Sequence, residues 1–271
     1  MKQGLSGLIP RVARRIRQQE LPGRSAQIAY YLLFASFPAL MVIVVLLGKI
    51  TAWEVAQPLE SLLAMGLPME IAQPLTQEMN QVVDPAATRL LFGLGLGLFL
   101  AARAVDSICK GVNAAWGIRD ERPWTQRKAR VLAITAAGVA GVSLLVVLLS
   151  VEPSLRAWLM HRGDELGTAR LSMMRWPILF FVLHSLVWLV YRLGAERREG
   201  HGWISWGSLS ASLGVVLVTV MFHYYVQNVV DLGATYGSFG SAIGLAAYCY
   251  FCAYSVLVGA AIDCELKRLG Y

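Results

Sequence analysis

The sequence predicts an all-α, polytopic membrane protein with six transmembrane helices and a periplasmic helical cap between the first two. The composition, six long apolar runs and the distribution of basic residues predict this class. Of its 271 residues, 56% are apolar and 15% are charged, and the mean hydropathy is +0.55. Soluble domains average about 45–50% apolar and about 25% charged residues. The chain therefore has too much apolar surface for one water-soluble core.

The six apolar runs are each close to the roughly 20 residues that a spanning helix needs. The alternating pattern of a membrane barrel strand is absent from them, so helices are expected. We place the spans near residues 27–49, 89–110, 130–151, 175–194, 203–226 and 237–262. Together they predict a single membrane domain over 1–271, without a cleaved signal peptide.

The basic residues predict the orientation. Of the 24 lysines and arginines, 17 lie in the segment 1–26, the loop 110–130, the loop after the fourth span and the C-terminal tail. The opposite loops hold three, Arg156, Arg162 and Arg170. Because basic residues concentrate on the cytoplasmic side, both termini are expected in the cytoplasm. This arrangement also explains the net charge of +7 without a nucleic-acid partner.

Two segments outside the spans have helical periodicity. In the basic segment 1–26, Val12, Ala13 and Ile16 share one face among several arginines, which suits either a helix lying on an anionic leaflet or a flexible positive anchor. The loop 50–87 contains five acidic and no basic residues, with apolar residues at helical spacing. We expect two short amphipathic helices there, packed as the periplasmic cap; a solvated loop is the alternative.

The candidate binding site lies on the second span. Arg103, Asp106, Lys110 and Asn113 follow each other at spacings of three and four, so they form one helical stripe. Ionisable residues inside a membrane are costly and frequently functional. Two interpretations stay open: a polar cavity that receives an anionic headgroup, or an ion pair near the interface with long side chains reaching water.

Other intramembrane features predict packing rather than chemistry. Pro38 should kink the first span and is a candidate hinge. Small residues recur every four positions in the second and sixth spans, which favours close helix contacts; they are Gly93, Gly97, Ala101, Gly240 and Gly244. His184 and His223 are interpreted as packing residues, and Cys249 and Cys252 as buried thiols.

Enzyme motifs are absent from the sequence. It contains no H-E-x-x-H, no phosphate-binding P-loop and no G-x-S-x-G motif. We therefore expect no enzyme, and predict no catalytic residue, no cofactor and no metal site.

Several landmarks occur in order along nearly the whole chain. They are Ala29 to Pro38 (AYYLLFASFP), Asn113 to Ile118 followed by Arg119 and Arg122, the pairs Tyr191-Arg192 and Trp206-Gly207, and Tyr236 to Gly240 through Val258-Gly259-Ala260. Together they resemble the YihY/BrkB family of bacterial inner-membrane proteins. The chain departs from the family pattern at Leu193, where proline is frequent, and at Ala261, where glutamate is frequent. The resemblance implies a six-span envelope protein, whose relatives have carried the labels virulence factor and ribonuclease.

Three functions compete at this point. The first is transport or flipping of an amphiphilic anion such as a lipid, with anionic membrane lipids as partners. The second is a structural role in envelope integrity, through an envelope protein partner or a second copy of this chain. A membrane enzyme ranks last, because the residues offer no catalytic arrangement.

Overall fold

The apolar runs form helices, as expected where no water is present to satisfy backbone N–H and C=O groups. The computed structural model describes residues 7–48, 87–161, 165–195, 205–228 and 240–269. These residues form seven α-helices, one π-helical turn and no strand. The helices are α1 (Leu8–Gln18), α2 (Leu21–Gly48), α3 (Ala87–Trp116), α4 (Trp124–His161), α5 (Glu165–Leu189, continued by the π turn Val190–Gly194), α6 (Trp206–Asn228) and α7 (Gly240–Arg268). The all-α prediction is confirmed.

Each predicted span overlaps one of the long helices α2 to α7. Several of these helices extend beyond the apolar runs, because helical hydrogen bonding continues into polar residues at the ends; α4, for example, begins at Trp124, six residues before its run. Three described stretches are long and apolar enough to cross a membrane: Trp176–Gly194, Trp206–Val226 and Ala242–Arg268. The predicted cap at 50–87 lies outside the described residues, apart from the first residue of α3.

Successive long helices are antiparallel, so each end of the bundle contains the end of one helix and the start of the next. The Asn113 amide near the end of α3 donates to the Gly194 carbonyl after α5, at 3.2 Å. Arg130 near the start of α4 approaches the Leu193 carbonyl at 3.5 Å. The Gly207 amide at the start of α6 lies 3.4 Å from an Asp263 oxygen near the end of α7.

The buried hydrophobic cluster lies at this same end, which we call the core end. Its members come from every helix except α4 and are Val12, Leu21, Ile28, Val112, Ala115, Trp116, Val187, Tyr191, Ala195, Ala211, Ala253, Leu257, Ala260, Ala261 and Cys264. The Tyr191 hydroxyl donates to the Val256 carbonyl and ties the end of α5 to α7. The core end therefore sets the positions of the helices relative to one another.

The outer surface is apolar over much of the bundle. Large side chains on α3, α5 and α6 are exposed, among them Phe99, Phe181, Leu217 and Met221. Soluble monomers seldom expose apolar patches beyond a few hundred Å². Such a surface is typical of helices that contact lipid.

The short helix α1 packs on α7 and forms where its apolar spacing predicts it. Its buried face differs from the expected one, because Val12 and Arg15 are buried whereas Ala13 is exposed. An acidic partner on α7 explains the inward position of Arg15. This partner is 250 residues away in the sequence, so helical periodicity alone does not reveal it.

Candidate functional site

A small polar cleft lies between α2 and α3 and contains most of the predicted stripe. It is small and open to the surroundings, and it is lined by Gln27, Tyr31, Arg103, Asp106, Ser107 and Lys110. The two helices run in opposite directions, so the start of α2 meets the last turns of α3. Because the residues of the stripe are three and four positions apart, they share the face of α3 that packs against α2.

The cleft has an acidic residue inside and a basic residue at its rim. Asp106 is 5% exposed. Its Oδ2 lies 2.8 Å from Lys110 Nζ, one helical turn further along, and the Lys110 side chain is 56% exposed. Because a buried carboxylate is costly without a partner, Lys110 compensates the charge of Asp106. Together they contribute no net charge to the cleft.

Arg103 gives the cleft its excess positive charge. Its guanidinium lies over two aromatic rings, 5.9 Å from the Tyr31 centroid and 5.8 Å from the Phe99 centroid. Among the described residues no carboxylate lies within 4 Å of it. Cation–π contacts orient a guanidinium while its N–H edges can still donate hydrogen bonds. Arg103 is therefore oriented but not neutralised.

The last predicted site residue, Asn113, does not line the cleft. It is buried at the core end, where its amide donates to the Gly194 carbonyl. The candidate hinge, Pro38, lies within α2, which is continuous from Leu21 to Gly48. The Pro38 side chain is outside the described residues, and its role as a hinge stays a prediction.

The chemistry of the cleft suits a small anion. A guanidinium pairs with phosphate or carboxylate through two parallel hydrogen bonds. The Gln27 amide and the hydroxyls of Tyr31 and Ser107 add neutral donors at the same place. The cleft is too small to enclose a whole amphiphile, so the part that enters it is a small anionic group.

Apolar surface adjoins the cleft on both helices. Tyr30 and Phe34 on α2 are exposed, their rings 4.7 Å apart between centroids, and Tyr30 also contacts the cleft residue Tyr31. On α3, Leu96 and Phe99 are exposed one to two turns from Arg103. A charged cleft beside exposed aromatic and aliphatic side chains matches the two parts of an amphiphile.

A second charged cluster lies at the core end. Arg15 Nε lies 2.6 Å from Glu265 Oε1, and both side chains are nearly buried. Arg15 also donates to the Ala115 carbonyl at 3.0 Å. Asp263 and Glu265, near the end of α7, are both buried. The sequence feature that could have indicated this cluster is an acidic residue among small apolar residues near the end of α7.

His184 occupies the packing role expected for it. Its Nδ1 lies 3.1 Å from Ser212 Oγ, which joins α5 to α6. The Ser212 hydroxyl also donates to the Ser208 carbonyl. This arrangement connects two helices.

A family model described as virulence factor BrkB matches residues 12–270 of the chain. The chain belongs to this family. The match covers most of α1 and all of α2 to α7, so the cleft and the core end are within the family region. The predicted resemblance to YihY/BrkB proteins is confirmed.

Two curated relatives agree with this membership. The chain is 23% identical over 259 residues to the putative ribonuclease-like protein YfkH of Bacillus subtilis, covering 94% of this chain and 93% of the relative. It is 26% identical over 216 residues to a UPF0761 membrane protein of Chromobacterium violaceum, covering 76% of this chain and 48% of the relative. This BrkB family chain is a membrane protein with apolar helices. No solved structure matches it significantly.

Proposed function

We propose that this BrkB family protein binds the anionic headgroup of a membrane amphiphile in the α2–α3 cleft and moves it across the bacterial inner membrane. The observation that carries the proposal is Arg103, which two aromatic rings orient and which has no carboxylate within 4 Å among the described residues. Asp106 and Lys110 compensate each other, so an incoming phosphate meets a net positive site. The exposed rings beside the cleft then contact the acyl chains.

The proposal includes a topology of six spans with both termini in the cytoplasm and a periplasmic cap at 50–87. The up-and-down arrangement of α2 to α7 supports it, because an even number of crossings returns the chain to its starting side. The 17-to-3 distribution of basic residues supports the same orientation. In this topology the cleft is near the cytoplasmic end of the bundle, where it receives headgroups from the inner leaflet.

The proposed role includes binding and movement, and no bond of the substrate is broken. The name of the Bacillus relative contains the word ribonuclease-like, and it applies to that protein. In this chain the cleft combines a guanidinium, an ammonium, a paired carboxylate and neutral donors. Such a set recognises an anion.

The test uses the purified full-length protein in liposomes that contain fluorescent phosphatidylglycerol, with bleaching of the outer leaflet as the readout. We expect movement of the label between leaflets to be faster than in protein-free liposomes. Charge-assisted hydrogen bonds contribute about 1.5–3 kcal/mol each. Arg103→Gln should therefore slow the movement about ten-fold to a hundred-fold.

Arg119→Gln is the matched control, because Arg119 is an exposed arginine on the loop after α3, outside the cleft. It should move lipid at the wild-type rate. Equal rates for wild type, Arg103→Gln and protein-free liposomes contradict the transport proposal. Binding of phosphatidylglycerol without movement favours the structural role in the envelope.

A further inference from the structure

The helix α1 has two outward flanks of different chemistry, although its inner face is fixed to the bundle. At 100° per residue, Leu8, Val12, Arg15 and Ile16 form the inner face, which contacts the core-end cluster. One flank consists of Ile9 and Ala13, and the other consists of Arg11 and Arg14. Arg17 lies between the two flanks, on the side opposite the inner face. All five of these flanking and outward residues are exposed, and Ile9 is 79% exposed.

The rotation of α1 about its axis is set by the ion pair between Arg15 and Glu265. Arg15 Nε lies 2.6 Å from the Glu265 carboxylate and Arg15 Nη1 3.0 Å from the Ala115 carbonyl, so one side chain connects α1 to α7 and α3. A nearly buried pair is screened much less by salt than an exposed one. This contact therefore keeps Ile9 and the exposed arginines facing outward under all ordinary salt conditions.

The height of α1 along the bundle corresponds to a membrane surface. α1 packs at the core end, where α4 and α6 begin with the exposed tryptophans Trp124 and Trp206. Tryptophan is enriched at the level of lipid headgroups. An exposed isoleucine flank beside an arginine flank suits that level, since acyl chains contact the first and phosphates the second.

We propose that α1 is an anionic-lipid-binding helix that lies in the headgroup layer, with Arg11, Arg14 and Arg17 on lipid phosphates and Ile9 among acyl chains. The occupant is an anionic leaflet, because the exposed charges of α1 are all positive; Glu20 follows the helix at the turn to α2, and Glu265 is buried against Arg15. This surface is separate from the α2–α3 cleft. Its lipid binding does not depend on transport.

The test is hydrogen–deuterium exchange of the full-length protein in nanodiscs, read on peptides that cover residues 7–18. Nanodiscs of phosphatidylcholine alone are compared with nanodiscs that contain phosphatidylglycerol. Each arginine near an anionic surface strengthens binding about five-fold, so three strengthen it on the order of a hundred-fold. We expect the α1 amides to exchange at least about five-fold more slowly with phosphatidylglycerol, and this difference to shrink in high salt.

Two triple variants distinguish charge from helix stability. R11Q/R14Q/R17Q should remove the difference between the two lipid compositions, whereas R11K/R14K/R17K should keep it, because lysine preserves the charge. A separate variant, Arg15→Gln, should speed α1 exchange in both compositions, since the helix loses its attachment to α7. The proposal is overturned if wild-type α1 exchanges equally in both compositions or if the glutamine triple variant keeps the response.

Discussion

At the scale of single residues, two glycines determine how closely α6 and α7 approach. A Cβ built on Gly207 would lie 2.2 Å from the Asp263 Cβ and 2.6 Å from the Gly259 carbonyl oxygen. A Cβ on Gly259 would lie 2.6 Å from the Ala211 Cβ. Real Cβ atoms are not found so close to other heavy atoms, so both positions require glycine. The contact brings the Asp263 carboxylate beside the first amides of α6.

Gly207→Ala should therefore destabilise the folded protein. Overpacking of a tight contact costs about 1–3 kcal/mol, and the nearest atoms here include backbone that cannot rotate away. We expect the apparent Tm in detergent to fall by several degrees. Gly138→Ala is the control, because nothing lies within 4 Å of a Cβ at that helical position, and its Tm should stay equal or rise slightly. An unchanged Tm for Gly207→Ala would show that the helices separate without cost.

Arginines of this chain have different roles that depend on their partners. Arg15 is buried against a carboxylate and connects helices, whereas Arg103 is exposed at a cleft and oriented by rings. Lys110 is beside Asp106 and compensates it. Substitution of Arg15 should thus affect folding and α1, while substitution of Arg103 should affect anion binding with little change in stability.

At the scale of elements, the end of α5 is held by donors from three other segments. Its last carbonyls accept hydrogen bonds from side chains: Gly194 from Asn113, Ala195 from Arg122 at 2.6 Å, and Leu193 from Arg130 at 3.5 Å. The final carbonyls of any helix lack partners within the helix. Here α3, the loop after it and α4 supply them. This contact gives the Asn113 amide a structural role, which is to satisfy a carbonyl at the end of α5.

Asn113→Leu should reduce stability and leave lipid movement by the folded fraction unchanged. The substitution removes a buried donor from the Gly194 carbonyl, which costs about 1–3 kcal/mol. The checks are the apparent Tm and the liposome assay on the same preparation. Gln126→Leu, at an exposed position of α4, is the stability control. A wild-type Tm together with lost lipid movement would indicate that Asn113 takes part in binding the anion.

At the scale of the whole molecule, the alternating helices place the described ends of the chain together. α1 at the start contacts α7 at the end, and Arg15 and Glu265 join them across almost the full sequence. The core end thereby gathers the inward-facing charged residues Arg15, Asp263 and Glu265. The opposite regions of α3 and α6 expose apolar side chains to the surroundings.

The same arrangement predicts that both termini face the cytoplasm. A fluorescent protein fused after Tyr271 should be fluorescent, and alkaline phosphatase at that position should be inactive, because it folds only after export. Alkaline phosphatase inserted in the loop 50–87 should be active, since that loop contains no basic residue to retain it. Active phosphatase at the C-terminus would exclude the proposed topology.

The sequence alone was sufficient for the helical class, the location of each long helix and the family. The helical class and the helix positions depend on local properties, namely hydropathy over about 20 residues and helical spacing. The family follows from the resemblance of landmarks in order along the chain. The stripe on α3 also appeared from spacing, which placed Arg103, Asp106 and Lys110 on one face. Three of the four predicted stripe residues indeed line one cleft.

Only the tertiary structure decided which partner each polar side chain meets. It separated Asn113 from the cleft, oriented Arg103 with Tyr31 of another helix, and buried Arg15 against Glu265. Such contacts join residues that are tens to hundreds of positions apart, and periodicity carries no information about them. Local hydropathy therefore determined where this chain forms helices, and helix packing determined which of its charges can bind an anion.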